Sequence, residues 1–543
     1  MDQYQSNTSM KKRVTDLINV CSDGLYEREE IIAISLLSAI SGQSIFLYGL
    51  PGTAKSLIAR RLSHVFRDTT HFEYLMQNFS TPEDVFGPVS IQELKKDNYI
   101  RKTDGYLPTA DFAFLDEIWK SSPAILNTLL TIINERIFRN GGKDAKVPLK
   151  ALIAASNETP PPGQGLEALY DRFVMRIVVD PMKERENFEK LLDGGFVSAD
   201  IEVPEMLQFS NDEWEEFPND IYRITISKEV FAIINSIRSS IDQFNKDNPE
   251  VEVYVSDRRW QKIAFILKAS AFLCDRTEVI PVDTLILRHC LWTLEGNREG
   301  IDDIVVRSVK QFSCTNYEES NNWLLDHKDI ENRVSETFFY SEDVFDTKEI
   351  DGNEYFSISS PEIKTDSNSL QASKIEIRFY VPIESIGTFD TFVPIDINGN
   401  PQPRVECNFN GSNLCEVKIQ DKLLKNGWEY PLSSTSYVEW FEAKPDIKYE
   451  KTTQKSVCPK VKDSLINECE NSLSLIEKLI NDTIPYVDAQ RKLNEVPFVP
   501  IDKRKIVLDA FEAFLNDLEN HKLNAEHLLE KVQSYAVSES GNC

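Results

Sequence analysis

Ser44–Ser56 reads SIFLYGLPGTAKS: a short apolar run, a turn made of Gly and Pro, then Lys-Ser at the head of a helical pattern. Small residues at such a turn let backbone N–H groups curl around phosphate oxygens, and the helix behind points its positive end at them. Gly49 begins the turn, Pro51 and Gly52 shape it, and Thr53 and Ala54 lead into the helix. Lys55 is placed to reach the outer phosphates of a nucleotide and the Ser56 hydroxyl to bind magnesium, with Leu57 following them. Ala54 stands where Gly is usual, which narrows the space for phosphate and leaves the N–H available. A Gly-rich turn also joins many ordinary strands to helices, so the reading depends on what lies downstream.

FAFLDEI, residues 112–118, is an apolar strand ending in two carboxylates. A buried parallel strand delivers Asp116 and Glu117 at its C-terminal edge, where ligands of open α/β sheets bind. Asp116 would hold magnesium or its water shell, and Glu117 would activate the water that attacks the γ-phosphate. LIAASN, residues 152–157, is another apolar strand, and its terminal Asn157 could orient that water. LEALYDRF, residues 166–173, carries Arg172 on a turn or helix end, where it could complete a neighbouring subunit's site as an arginine finger. YVSDRRW, residues 254–260, sets Arg258 and Arg259 at a helix start after Ser256 as cap, so that one of them could touch phosphate from a lid.

The chain's 543 residues allow roughly three or four domains. A net charge of −28 argues against a general nucleic-acid or anionic-membrane binder, because such binding depends on Lys and Arg neutralising phosphates. Nine scattered cysteines without a C-x-x-C pair, and histidines without ligand spacing, point to reduced thiols rather than disulfides or zinc. No stretch approaches the apolar run of about 20 residues that spans a bilayer, and the N-terminus lacks a signal-like core. The expectation is a cytoplasmic protein with no transmembrane segment.

Two helices are predicted between Arg13 and Gln43, and a strand at Phe72–Met76. Residues 79–110 are irregular, with a helix start at Thr81-Pro82-Glu83-Asp84 and a stop at Gly87-Pro88. SPAILNTLLTIINER is helical, and the segment after it turns as a hairpin at Asn140-Gly141-Gly142. Residues 311–335 read as helix anchored by Trp323, Leu324 and Leu325. From 336 to 447 the pattern turns to β, with Ile375, Ile377, Phe379 and Val381 alternating and turns at DINGNP, NFNGSN and KNGWEY. Helical spacing returns over 460–490 and 503–535, divided by VPFVPID. The β segment offers no nucleophile motif or carboxylate pair and reads as a binding module, with Phe379, Phe389, Phe392 and Trp428 in its core.

In order, GLPGTAKS, FAFLDEI, LIAASN, LYDRF and VSDRR resemble the AAA+ ATPases, specifically the MoxR group. FSTPEDVFGP, LDEIWKSSPAILNTLLTIINER, AASNE, EALYDRF and YVSDRRW resemble the motifs of its RavA subfamily, and together these stretches cover roughly residues 20–310. The resemblance implies an α/β fold: an AAA+ P-loop core with a parallel sheet (1–200), a helical lid (201–310), and a discontinuous helical stalk (311–335 and 448–543) carrying a small β-rich interaction domain (336–447). It implies Lys55 and Ser56 as Walker A, Asp116 and Glu117 as Walker B, Asn157 as sensor 1, Arg172 as the finger and Arg258, or its neighbour Arg259, as sensor 2. It also implies ATP and Mg2+, a homo-hexameric ring, a von Willebrand factor A-domain partner and chaperone-like remodelling. Enteric relatives imply an amino-acid decarboxylase as a further partner.

Two other classes stay open on the residues alone. One is a nucleotide-gated scaffold in which turnover is incidental; the other is a nucleic-acid motor, which the acidic balance opposes. The nearest sequence to a guanine-reading N-K-x-D is Asn245-Lys246-Asp247-Asn248, with the wrong last residue, in what reads as a polar loop.

Overall fold

In the computed structural model the described residues are 9–160, 166–194, 198–199, 201–345, 347–359, 363–364, 374–375, 378–385, 388–409, 415–419, 422–425, 428–431, 440–443 and 447–537. They divide into two units, one of residues 1–324 with 474–523, the other of 325–473 with 524–543.

Helices α1 (Met10–Ser22) and α2 (Glu29–Ile40) precede strand β1 (Ser44–Tyr48), and α3 (Lys55–Ser63) follows it. Next come β2 (His71–Leu75), α4 (Pro82–Phe86), α5 (Ile91–Leu94) and β3 (Phe112–Asp116). Helix α6 (Pro123–Glu135) leads into the antiparallel hairpin β4 (Ile137–Asn140) and β5 (Lys143–Lys146), then β6 (Ala151–Ser156), α7 (Glu167–Tyr170) and β7 (Phe173–Val178). The hairpin turns at Gly141 and Gly142, both at positive φ, as Asn-Gly-Gly predicts. The expected cap of α4 is also present: Thr81 and Asp84 bond reciprocally, and Gly87 ends the helix.

Five strands form one parallel sheet in the order β2-β3-β6-β1-β7. Side chains alternate along each strand, so the sheet feeds two cores. Ile45, Leu47, Phe112, Phe114 and Ile153 face one, shared with α1, α2 and α3; Phe46, Ala113, Leu115, Leu152 and Phe173 face the other, shared with α6. Burial on both faces is why these strands read as unbroken apolar runs. It also leaves their C-terminal ends as the place where polar side chains emerge.

The lid follows α8 (Arg185–Asp193) and comprises α9 (Asn211–Arg223), α10 (Lys228–Asp247), α11 (Asp257–Leu273), α12 (Arg288–Leu291) and α13 (Arg298–Phe312). Asn245-Lys246-Asp247 closes α10 rather than forming a loop, and the Asn245 side chain is committed to the Val253 backbone. At the lid's centre Asp283 is fully buried and accepts from Arg276 Nη1 and Nη2 at 2.7 and 2.8 Å, from Ser270 Oγ at 2.7 Å and from the Ile280 N–H at 3.0 Å. Removing one partner of such a pair strands the other. Asp283→Ala is therefore expected to cost about 3–5 kcal/mol, read as a lowered midpoint in chemical denaturation; an unchanged midpoint would contradict it.

Helices α14 (Tyr317–Phe338), α15 (Pro459–Leu493) and α16 (Ile501–Ser534) bracket the β-rich segment in sequence. In the second unit Ile330, Val334, Phe338, Leu465, Cys469, Leu528 and Val532 form one helical core. Phe356, Ile358, Phe379, Val381, Val405, Cys407, Phe409, Cys415 and Val417 form a β core. The strands are antiparallel: Phe339–Phe345 with Ile447–Gln454, a three-stranded sheet through Asn353–Ser359, and a four-stranded sheet through Val405–Asn408.

Several sequence expectations shift here. The boundaries at 335/336 and 447/448 fall inside α14 and inside a strand, the latter because Ile447–Gln454 pairs along the whole of Phe339–Phe345. Of the three expected anchors, Trp323 is buried, Leu324 half-buried and Leu325 solvent-exposed. Phe389, expected in the β core, is 76% exposed; Phe379 is buried and Phe392 packs at the core's edge. Ile377 and the turns at 410–413 and 426–427 lie outside the described residues, as does the Trp428 side chain. Seven cysteines are free and buried, while Cys458 is disulfide-bonded, against the expectation of thiols throughout. Among the described residues no helix is long and apolar enough to cross a membrane.

Candidate nucleotide site

The loop after β1 is held by both neighbouring strands. The Gly49 N–H donates to Ser156 O at 3.1 Å, at the end of β6, and the Val179 N–H donates to Tyr48 O at 2.7 Å, just past β7. A Cβ on Gly49 would lie 2.4 Å from Val179 O, so the loop can leave the sheet only if this residue has no side chain. Gly52 has φ +81 and open space where a Cβ would sit. Ala54 caps α3 at φ +69, a left-handed conformation that a residue with Cβ adopts at a cost of about 1–2 kcal/mol. The chain thus keeps the backbone shape that Gly usually supplies here, and keeps it under strain.

Lys55 is buried, and its Nζ donates to Gly49 O at 2.8 Å and Leu50 O at 2.9 Å. Burial pulls its ammonium below the ordinary lysine value, and the Asp116 and Glu117 carboxylates oppose that pull. Loop carbonyls are neutral acceptors, whereas phosphate oxygens would offer this cationic donor an acceptor of opposite charge. Thr53 Oγ1 donates to Leu50 O at 2.9 Å and fastens the crest of the loop. Ser56 and Leu57 occupy the first turn of α3, both half-buried.

Asp116 ends β3, which pairs with β2 on one side and β6 on the other. Glu117 follows at φ +51, and its N–H donates to Asp116 Oδ1 at 3.0 Å. A left-handed glutamate is a strained backbone of the kind that collects at reacting sites. Its Oε2 lies 3.3 Å from Lys120 Nζ. Asn157 follows β6, and its Oδ1 is buried without a hydrogen-bond partner. An orphaned acceptor beside the strand end that carries both Asp116 and Glu117 suits a site that orders water.

Beside the loop opens a cavity of about 770 Å³. Leu25, Tyr26, Leu57, Met182, Phe188 and Leu192 give it apolar walls next to Gly52 and Ala54. That position and character fit a nucleobase. Of these walls the sequence reading reached Leu57 and missed Leu25, Tyr26, Met182, Phe188 and Leu192; in the structure Phe188, Leu191 and Leu192 leave apolar surface of the short helix α8 exposed.

Arg172 follows α7, with Nη1 donating to Ala168 O and Nε sealed from solvent without a partner. Burial and the charge of Arg258 both pull its guanidinium below the ordinary value. Arg258, exposed on the first turn of α11, donates from Nη2 to Asn134 Oδ1 at 2.6 Å. Arg259 is only 1% exposed and donates to Cys290 O, so of the two candidates Arg258 is the one with access to a ligand. Ser256 caps α11 and donates from Oγ to Asp171 Oδ2 at 2.9 Å, tying the lid helix to the turn that carries Arg172. Two charge groups result. Lys55 sits with Asp116 and Glu117, and Arg172 sits with Arg258.

Residues 12–217 match the family model described as the MoxR domain in the MoxR-vWA-beta-propeller ternary systems, and residues 229–305 match the AAA lid domain. Two uncharacterized proteins of Methanocaldococcus jannaschii are 39% and 36% identical over 292 and 293 residues, spanning 53% and 54% of this chain and 71% and 73% of their own lengths. The chain belongs to the MoxR group of AAA+ ATPases. A structural protein of the Acidianus two-tailed virus is 26% identical over 317 residues, 53% of this chain and 51% of its own. The lid match spans α10 to α13. The matches leave the β-rich segment and its helices outside the matched region.

Proposed function

We propose that this chain is a magnesium-dependent ATPase that works as a ring, in which each catalytic site is completed by an adjacent copy. The observation that carries the reading is the split of the charged machinery: Lys55, Asp116 and Glu117 form one group, while Arg172 and Arg258 form another on the turn after α7 and the head of α11. Arg172 would serve as the finger and Arg258 as sensor 2, both directed at the nucleotide of a neighbour. Six copies fit the closed rings expected of head-to-tail interfaces.

Within one site, the Gly49–Ser56 backbone cradles the phosphates and Lys55 exchanges its two carbonyl acceptors for phosphate oxygens. Ser56 and Asp116 would hold magnesium, whose chemistry when bound is to neutralise charge developing on the phosphates. Glu117 accepts the proton of the attacking water, and the orphaned Asn157 amide orients that water. The apolar cavity beside the loop takes the base.

The energy of turnover would be delivered to a protein partner. The matched family description names vWA systems, which supports a von Willebrand factor A-domain protein as that partner. A β module bracketed by long helices, as in RavA-like proteins, would recruit it or its client. Turnover per subunit measured against protein concentration, with light scattering on the same samples, tests the ring: specific activity should rise as a large assembly forms, and activity independent of concentration and size would overturn shared sites.

A further inference from the structure

Helix α11 carries a third cation on the face of Arg258. Lys262 lies four residues on, hence one turn along the same side. It is half-buried, and its charged neighbours are Arg258 on its own helix, Arg136 at the end of α6, and Arg172 and Asp171 on the turn after α7. Arg136 is set at φ +56; its Nη2 donates to Gly42 O at 2.7 Å and its Nη1 is sealed from solvent without a partner. Arg172 Nε is sealed and unpaired in the same way.

Four cations therefore converge, and Asp171 opposes them, with one of its oxygens already accepting from Ser256. This happens in a chain whose net charge is −28, so the concentration of positive charge is local. Sealed, unpaired guanidinium N–H groups and like charges in proximity are costly unless an anion meets them. The anion must be multivalent to answer four charges, and the head of α11 adds its own N-terminal field.

We propose that Lys262 and Arg136 extend the Arg172–Arg258 pair into a four-cation seat for the polyphosphate of a nucleotide held by an adjacent copy of this chain. The inference rests on the shared-site reading above and adds two residues to it. Burial, then Arg258, Arg136 and Arg172, bring the Lys262 ammonium down to about 8. A docked polyphosphate favours the charged form and raises that value, so docking takes up protons. The charged form of Lys262 contributes fully below about 8 and is lost as pH rises through the higher value of the docked state.

The test uses the full chain and follows ATP turnover and light scattering from about pH 7 to about pH 9.5, for the parent, Lys262→Arg and Lys262→Met. The parent is expected to lose assembly-dependent turnover toward the alkaline end, and Lys262→Arg, which does not titrate there, to keep it. Lys262→Met should be about ten- to hundredfold weaker near pH 7 and approach the parent toward the alkaline end, with its thermal melting preserved. If Lys262→Arg declines as the parent does, or Lys262→Met matches the parent near pH 7, the seat does not include Lys262. Mixing Arg172→Ala with Glu117→Gln subunits separates the two ideas: restored activity there with no effect at Lys262 overturns this inference alone, and no restoration overturns the shared site beneath it.

Discussion

Replacing Glu117 by Gln is expected to lower ATP turnover by about 10²- to 10⁴-fold while nucleotide affinity stays nearly unchanged. The size follows from the role: a positioned base removes a proton in the transition state, and Gln occupies the same volume without accepting one. Affinity is spared because, in the proposed site, the phosphate contacts would belong to Lys55 and the Gly49–Ser56 backbone, and the metal position to Ser56 and Asp116. The ion pair lost with Lys120 spans 3.3 Å between a half-exposed lysine and the glutamate, which is worth less than about 1 kcal/mol. Single-turnover hydrolysis beside equilibrium binding of a fluorescent ATP analogue measures both quantities. A variant that binds and hydrolyses like the parent would remove Glu117 from the chemistry, and one that fails to hydrolyse yet sustains the biological output would favour the scaffold reading.

The fold of the first unit was legible because parallel strands buried on both faces leave a strong trace. SIFLY, FAFLD and ALIAAS are continuous apolar runs, and the residue after each run is where the sheet presents chemistry. Local signals with their own physics also transferred intact, among them the Thr81–Asp84 capping box and the Gly141-Gly142 turn. What the sequence could not convey was which strand ends meet. The order β2-β3-β6-β1-β7 sets Asn157 beside the loop, since β6 pairs with β1 and Ser156 accepts from Gly49. Nor could it separate Arg258 from Arg259, because adjacent arginines at a helix head look alike until the helix packs and one of them is sealed inside. The cavity beside the loop was hidden for a related reason: its walls come from residues 24–28, 50–57 and 181–194, and apolar residues dispersed that way read as ordinary core. Phe389 was misplaced because it lies in the loop just before the strand Thr391–Phe392, and an aromatic between Thr388 and Asp390 carries no mark of where a strand begins.

Arg172→Ala is expected to lower turnover by about 10³- to 10⁵-fold, the range for an arginine that meets transition-state charge on a phosphoryl group. Its placement makes the loss recoverable. The Arg172→Ala subunit retains Lys55, Asp116, Glu117 and Asn157, and the Glu117→Gln subunit retains Arg172 and Arg258. Each variant assembled alone therefore lacks one necessary group at every site, whereas a mixed ring contains interfaces where an intact Glu117 faces an intact Arg172. With random 1:1 mixing through a head-to-tail interface, about one site in four has both groups. Activity should therefore climb from near zero in either pure sample to a sizeable fraction of the parent's in the mixture, on the timescale of subunit exchange. If the two inactive variants stay inactive when mixed, and scattering shows that they co-assemble, Arg172 serves the nucleotide of its own subunit, and the paired arrangement of Arg172 with Arg258 needs another explanation.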